Sequence, residues 1–113
     1  MKIKTSELIG PALDYMVHVA NGNSMASCSY WLEKYEDEQR RALCEDYSTN
    51  WSQGGPIIER EDLSVGRELL DGPCTAFGKG GVRGEGPTPL IAAMRCYVAS
   101  KLGDEVDIPE ELT

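Results

Sequence analysis

The sequence predicts an α+β fold, with a small antiparallel sheet of about three strands packed against two or three helices. Two helical segments carry clear caps and apolar stripes. Several short apolar runs lie close together, separated by Gly, Pro, Asn and Asp, the spacing of neighbouring antiparallel strands. The chain has 113 residues, which fits one domain spanning residues 1–113.

The first elements follow from local signals. Ile3, set between Lys2 and Lys4, starts a short strand, and Thr5 or Ser6 caps a turn. Gly10-Pro11 then opens a helix, because proline is tolerated at a first helical position. Ala12, Leu13, Met16, Val17 and Ala20 form one stripe along it. Asp14 is expected in its first turn, favoured by the helix dipole. Asn21-Gly22-Asn23 ends the helix. Residues 24–46 read as a helical insertion. Tyr30, Trp31, Leu32, Tyr35 and Leu43 supply its apolar side, and Glu33, Glu36, Asp37, Arg40 and Arg41 a solvated one.

Residues 47–56 combine Ser, Thr, Asn and paired glycines, the composition of a loop. Ile57-Ile58-Glu59-Arg60, residues 63–69 and Cys74-Thr75-Ala76-Phe77 are the strand candidates. The glycine-rich segment 78–87 is expected to be flexible or built of tight turns. The last helix has Thr88 as N-cap and Pro89 at its first position. Its stripe is Leu90, Ile91, Met94, Tyr97, Val98 and Leu102, and Gly103 stops it. Val106 and Ile108 anchor the acidic tail. The helices at Pro11 and Thr88 are both expected to lie on the sheet.

Composition narrows the function. Net charge is −8 and the pI about 4.6. Direct non-specific DNA binding needs clustered cations to displace counterions and is not expected. A basic partner is compatible with this charge. The absence of a long apolar run or a leader-like start predicts a cytoplasmic protein with no membrane contact. Cys28, Cys44, Cys74 and Cys96 include no Cys-x-x-Cys pair, and the single histidine, His18, lies far from them. They read as small reduced apolar residues, not a zinc site, and no cofactor is expected.

Segment 77–86 superficially resembles a phosphate loop. It ends in Gly-Glu-Gly-Pro-Thr, without the Gly-Lys-Ser/Thr that places lysine on phosphate and a hydroxyl on magnesium. No nucleophile and base stand at a recognisable spacing, so no catalytic residue is assigned. The candidate binding surface is the loop with Tyr47, Ser48, Asn50, Trp51, Gln53, Gly54 and Gly55. Its aromatics offer flat contact area, and its amides and hydroxyls offer directional bonds. Pro87 and Thr88, at the start of the last helix, and Arg95, further along it and off its apolar stripe, complete it, since a helix N-terminus after a glycine-rich loop accepts an anion. The competing reading has Trp51 closing the core while the polar residues cap turns.

Three strings carry a resemblance. They are Lys2-Ile3-Lys4-Thr5-Ser6-Glu7-Leu8 with Ala12-Leu13-Asp14; Tyr47-Ser48-Thr49-Asn50-Trp51-Ser52-Gln53-Gly54-Gly55-Pro56-Ile57-Ile58-Glu59; and Gly86-Pro87-Thr88-Pro89-Leu90-Ile91-Ala92-Ala93-Met94-Arg95-Cys96-Tyr97-Val98-Ala99. In order and wording they resemble the NinX family of lambdoid phages. The resemblance implies a phage accessory protein with an α+β fold and no assigned activity. Two positions depart from the family's pattern: Tyr15 stands where a tryptophan is expected, and Asn50 where an aspartate is expected. Chemistry performed by that aspartate in relatives would not carry over to Asn50.

The expected function is a non-enzymatic accessory protein that binds and modulates a host or phage protein during infection, with counter-defence as one such role. The alternative is a sponge for a small nucleotide signal, with the loop near Trp51 and the helix start at Thr88 forming its pocket; a homo-oligomer is compatible with that reading, since such pockets often lie between subunits. An enzyme acting on nucleotides or nucleic acid ranks third.

Overall fold

The computed structural model describes residues 2–21, 47–67 and 72–108. Among them are a three-stranded antiparallel sheet, a two-stranded ribbon and three helices, which is the α+β architecture expected. The insertion at 24–46 lies outside the described residues, as do Cys28 and Cys44.

Strand β1 (Lys2–Lys4) leads into a 3-10 turn at Thr5–Glu7 and then helix α1 (Gly10–Ala20). Helix α2 (Trp51–Arg60) precedes β2 (Ser64–Arg67), β3 (Cys74–Phe77) and β4 (Arg83–Gly86). Helix α3 (Pro89–Leu102) and β5 (Glu105–Asp107) close the chain. The sheet order is β2-β3-β4, with Thr75 opposite both Gly66 and Glu85. β1 and β5 form the separate ribbon, with Lys2 opposite Asp107, Ile3 opposite Val106 and Lys4 opposite Glu105. Opposite charges flank the apolar pair, a favourable cross-strand arrangement.

The expected starts and stops of α3 are all in place. Thr88 Oγ1 accepts the Ile91 amide at 3.1 Å, Pro89 takes the first turn, and Gly103 ends the helix at φ +91°. Its packing is broader than a stripe. Leu90 to Met94 and Cys96 to Val98 are all buried. The sheet, through β4 and β3, covers one side of α3, and α1 and α2 cover others. This corrects the expectation that α1 would lie on the sheet, because α3 stands between them and α1 packs on α3.

Two further expectations are corrected. Ile57-Ile58-Glu59-Arg60 is the second half of α2, not a strand. The run is apolar enough for either state. Helix wins because Asn50 caps it and because Gly54 and Ile57 fall on the same buried side. Pro56 inside α2 is a local breaker that this packing overrides. Segment 78–87 does begin with a tight turn, one of the two forms expected of it, but the rest is not a loop. A 3-10 turn at Lys79–Gly81 uses Gly80 at φ +77°, and the third strand of the sheet follows as β4.

The glycines of β4 have a packing reason. Pleating turns Gly84 and Gly86 toward α3 and Arg83 and Glu85 away. A methyl group on Gly84 would lie 2.5 Å from both the Ala92 carbonyl oxygen and the Cys96 amide nitrogen. The strand and helix backbones therefore touch almost directly.

Polar bonds lock the ends. Asp14 lies past the first turn of α1, a correction that follows from the helix starting at Gly10. Its dipole role gives way to another: the buried Asp14 Oδ1 accepts the Ser48 amide at 2.9 Å, tying the 47–50 turn to α1. Thr5 donates its hydroxyl to Gly103 O at 2.7 Å and its amide to Asp104 O at 2.8 Å. That turns the chain after α3 into β5. Tyr97 donates to Asn21 Oδ1 at 2.7 Å, and Arg60 Nη2 donates to both Tyr97 and Asn21 at 3.1 Å. Arg60 and Lys101 also hold the Glu61 carboxyl below the usual carboxylate range.

Gly84→Ala is expected to destabilise by about 3 kcal/mol, because neither contacting backbone can step aside; the midpoint of urea unfolding reads it. Asp14→Ala is expected to cost about 2 kcal/mol by stranding the Ser48 amide. Asp14→Asn, which keeps an acceptor, should cost clearly less in the same assay.

Candidate functional site

The segment expected as a loop, 47–56, is instead a turn at 47–49 and then the start of α2 from Trp51, where the Asn50 cap begins a helix that Gly54 packing supports; its residues divide between interior and surface. Tyr47 and Ser48 are buried in the turn that Asp14 holds. The Ser48 hydroxyl has no hydrogen-bond partner among the described residues. Asn50 accepts from the Ser52 amide at 2.9 Å and from the Ser52 hydroxyl at 2.6 Å, capping α2. An aspartate at this position would cap equally well. The cap explains an acidic or amide residue here without any chemistry.

Trp51 is the first residue of α2 and is 55% exposed, so it does not close the core. Its setting is closely packed all the same. Gly54 packs so closely that an added methyl would collide with the Tyr47 carbonyl and lie 2.6 Å from Leu90 Cδ1. A methyl on Gly55 would touch the indole at 3.9 Å. Lacking a side chain, Gly55 leaves that part of the ring uncovered. Gln53 is half-buried on the same helix.

The Gly54–Leu90 contact brings the Trp51 segment to the start of α3, where exposed Pro87 and capping Thr88 lie. Nine of the ten expected residues thus lie in two segments, 47–55 and 87–88, and Gly54 meets α3 at Leu90, two residues after Thr88. Arg95 is the tenth. It sits further along α3, where its Nε donates to Leu8 O at 2.7 Å and its Nη1 to Glu85 O at 2.8 Å. It lines a separate cleft of about 500 Å³, together with Lys4, Thr5, Ser6, Arg83, Glu85, Asp104 and Glu105. Sequence reasoning missed this cleft. Its walls come from both ends of the chain, and no local pattern relates them.

Cys74 and Cys96 are buried free thiols. Burial pushes the Cys96 thiol up, and it contacts Val82 O at 3.6 Å; a thiol in that state is a packing group, not a nucleophile. Among the described residues, no group of three or more His, Cys, Asp or Glu side chains is placed to hold a metal. No helix among them is long and apolar enough to cross a membrane.

A family model described as Bacteriophage P22, NinX matches residues 4–101. No curated protein matches the chain.

If Asn50 serves as a cap, Asn50→Asp should leave thermal stability within about 0.5 kcal/mol of the wild type, and Asn50→Ala should lose about 1 kcal/mol. Calorimetry on the three proteins checks both. A large loss in Asn50→Asp would point to a different duty.

Proposed function

The chain belongs to the NinX family of bacteriophage P22, and we propose that it is a non-enzymatic accessory protein that binds and modulates a host or phage protein in the bacterial cytoplasm during infection. The single observation that supports this reading best is Trp51. A large aromatic residue stands more than half exposed on a helix whose first turn is held by the Asn50 cap and by Gly54 packing. An exposed indole loses little rotamer freedom on docking and buries a large area, which makes tryptophan a common anchor of protein interfaces. Holding it on a fixed backbone lowers the ordering cost further.

The protein's charge indicates the partner's character. With a net charge of −8, the chain is steered toward basic surfaces. The partner is expected to offer an apolar pocket for the indole, rimmed by Lys or Arg. Counter-defence is one role such a complex would serve.

The test compares tagged wild type with Trp51→Ala, each captured from phage-infected cells and read by quantitative mass spectrometry. Loss of the indole should weaken the cognate complex by about 30-fold, equivalent to about 2 kcal/mol. Circular dichroism should be unchanged, since the ring is outside the core. A partner captured equally by both proteins would remove Trp51 from the interface. The absence of any specific partner would remove the reading itself.

A further inference from the structure

The cleft around Arg95 has a charge arrangement that packing does not require. Its floor is α3, at Arg95 and Ala99. One wall is β4; the other is the β1–β5 ribbon with the turn that follows β1. Arg95 is half-buried, and its guanidinium is oriented by two main-chain carbonyls from different elements. It has no carboxylate partner among the described residues. Carbonyls orient a cation without neutralising it, and burial accordingly lowers the Arg95 pKa from its ordinary value. One nitrogen of its fork, Nη2, makes no hydrogen bond to a described residue.

The other charges in the cleft are distributed unevenly in their engagements. Arg83 is paired with Glu85 and leans over the Phe77 ring. Lys4 makes no ion pair with a described residue, although it stands opposite Glu105 in the ribbon register. Asp104 and Glu105 supply carboxylates at the ribbon side, and Ser6 adds an exposed hydroxyl. Two cations without ion-pair partners and two separate acids thus face a space within the range of small-molecule sites.

We propose that this cleft binds a small organic anion, with its phosphate or carboxylate on Arg95 and Lys4 and its hydroxyl or amine donors turned to Asp104 and Glu105. An incoming anion would supply the countercharge that Arg95 lacks, and two oxygens suit a guanidinium fork. The acids disfavour a compact polyanion and favour a ligand with donors at its other end. This site is independent of the Trp51 surface, and the two readings fail separately.

The test is an NMR titration following the Arg95 Nε–Hε signal and the Ser6 and Glu105 amides. The probes are glycerol 3-phosphate, aspartate and glycerol, taken to ~20 mM, since a site of this size and exposure binds such fragments near the millimolar range. At least one charged probe should give saturable shifts at those signals, and which one saturates identifies phosphate or carboxylate as the anchor. Glycerol should give none. Lys4→Ala should weaken binding about fivefold, the loss of one partly screened charge contact. Lys79→Ala, which removes the same charge from the distant 3-10 turn, should bind as the wild type does. Arg95 itself is left intact because it also ties two elements together. The proposal is overturned if neither charged probe saturates, if glycerol shifts the same signals, or if Lys4→Ala and Lys79→Ala behave alike.

Discussion

The near-contact of α3 with β4 is the constraint on which the other placements rest. Helix and strand meet at backbone distance because Gly84 and Gly86 present no side chains to the helix. Close approach lets α3 shed water on the sheet side while α1 and α2 cover its remaining apolar surface. A helix buried this fully cannot shift without opening several contacts at once. Its two ends therefore become fixed points for the chain around them.

Each fixed end has a structural consequence. At the N-terminal end, Leu90 receives Gly54, which sets the angle of α2 and carries Trp51 outward. At the C-terminal end, Thr5 bonds Gly103 and Asp104, so the tail pairs with β1 as a ribbon. The ribbon in turn forms a wall of the Arg95 cleft. Tyr97, between these ends, gathers Asn21 and Arg60 and joins the last turns of α1 and α2. The interior polar groups are few and mostly act as ties of this kind, where one lost bond would loosen two elements.

Both candidate surfaces combine a closely packed base with an unsatisfied group. Trp51 is an apolar ring left in water on a capped helix. Arg95 is a cation held in place without a countercharge. Stability alone would favour covering the ring and pairing the charge. An exposed ring on a closely packed helix, and a half-buried cation without a countercharge, are what distinguish them from ordinary surface residues.

The sequence by itself determined the elements whose signals are local. The Thr88 cap, Pro89 and Gly103 delimit α3, and Gly10-Pro11 opens α1. Cys74–Phe77 is a strand with the expected bounds, and the apolar pair Val106 and Ile108 is buried as expected. The resemblance in three strings also identified the family. Tertiary structure alone decided the rest. Ile57 to Arg60 is helical because Gly54 and Ile57 share a buried side, against the local pull of Gly-Gly-Pro. Arg83 to Gly86 is a strand because its glycines fit against α3, although the same glycines read locally as a loop. Tyr47 and Trp51, alike in composition terms, take opposite sides for a reason found in Asp14 and Leu90. The Arg95 cleft joins residues from the two ends of the chain. Caps and periodicity are written within a few residues and can be read there, whereas close backbone approach and distant charge pairing exist only once the chain has folded.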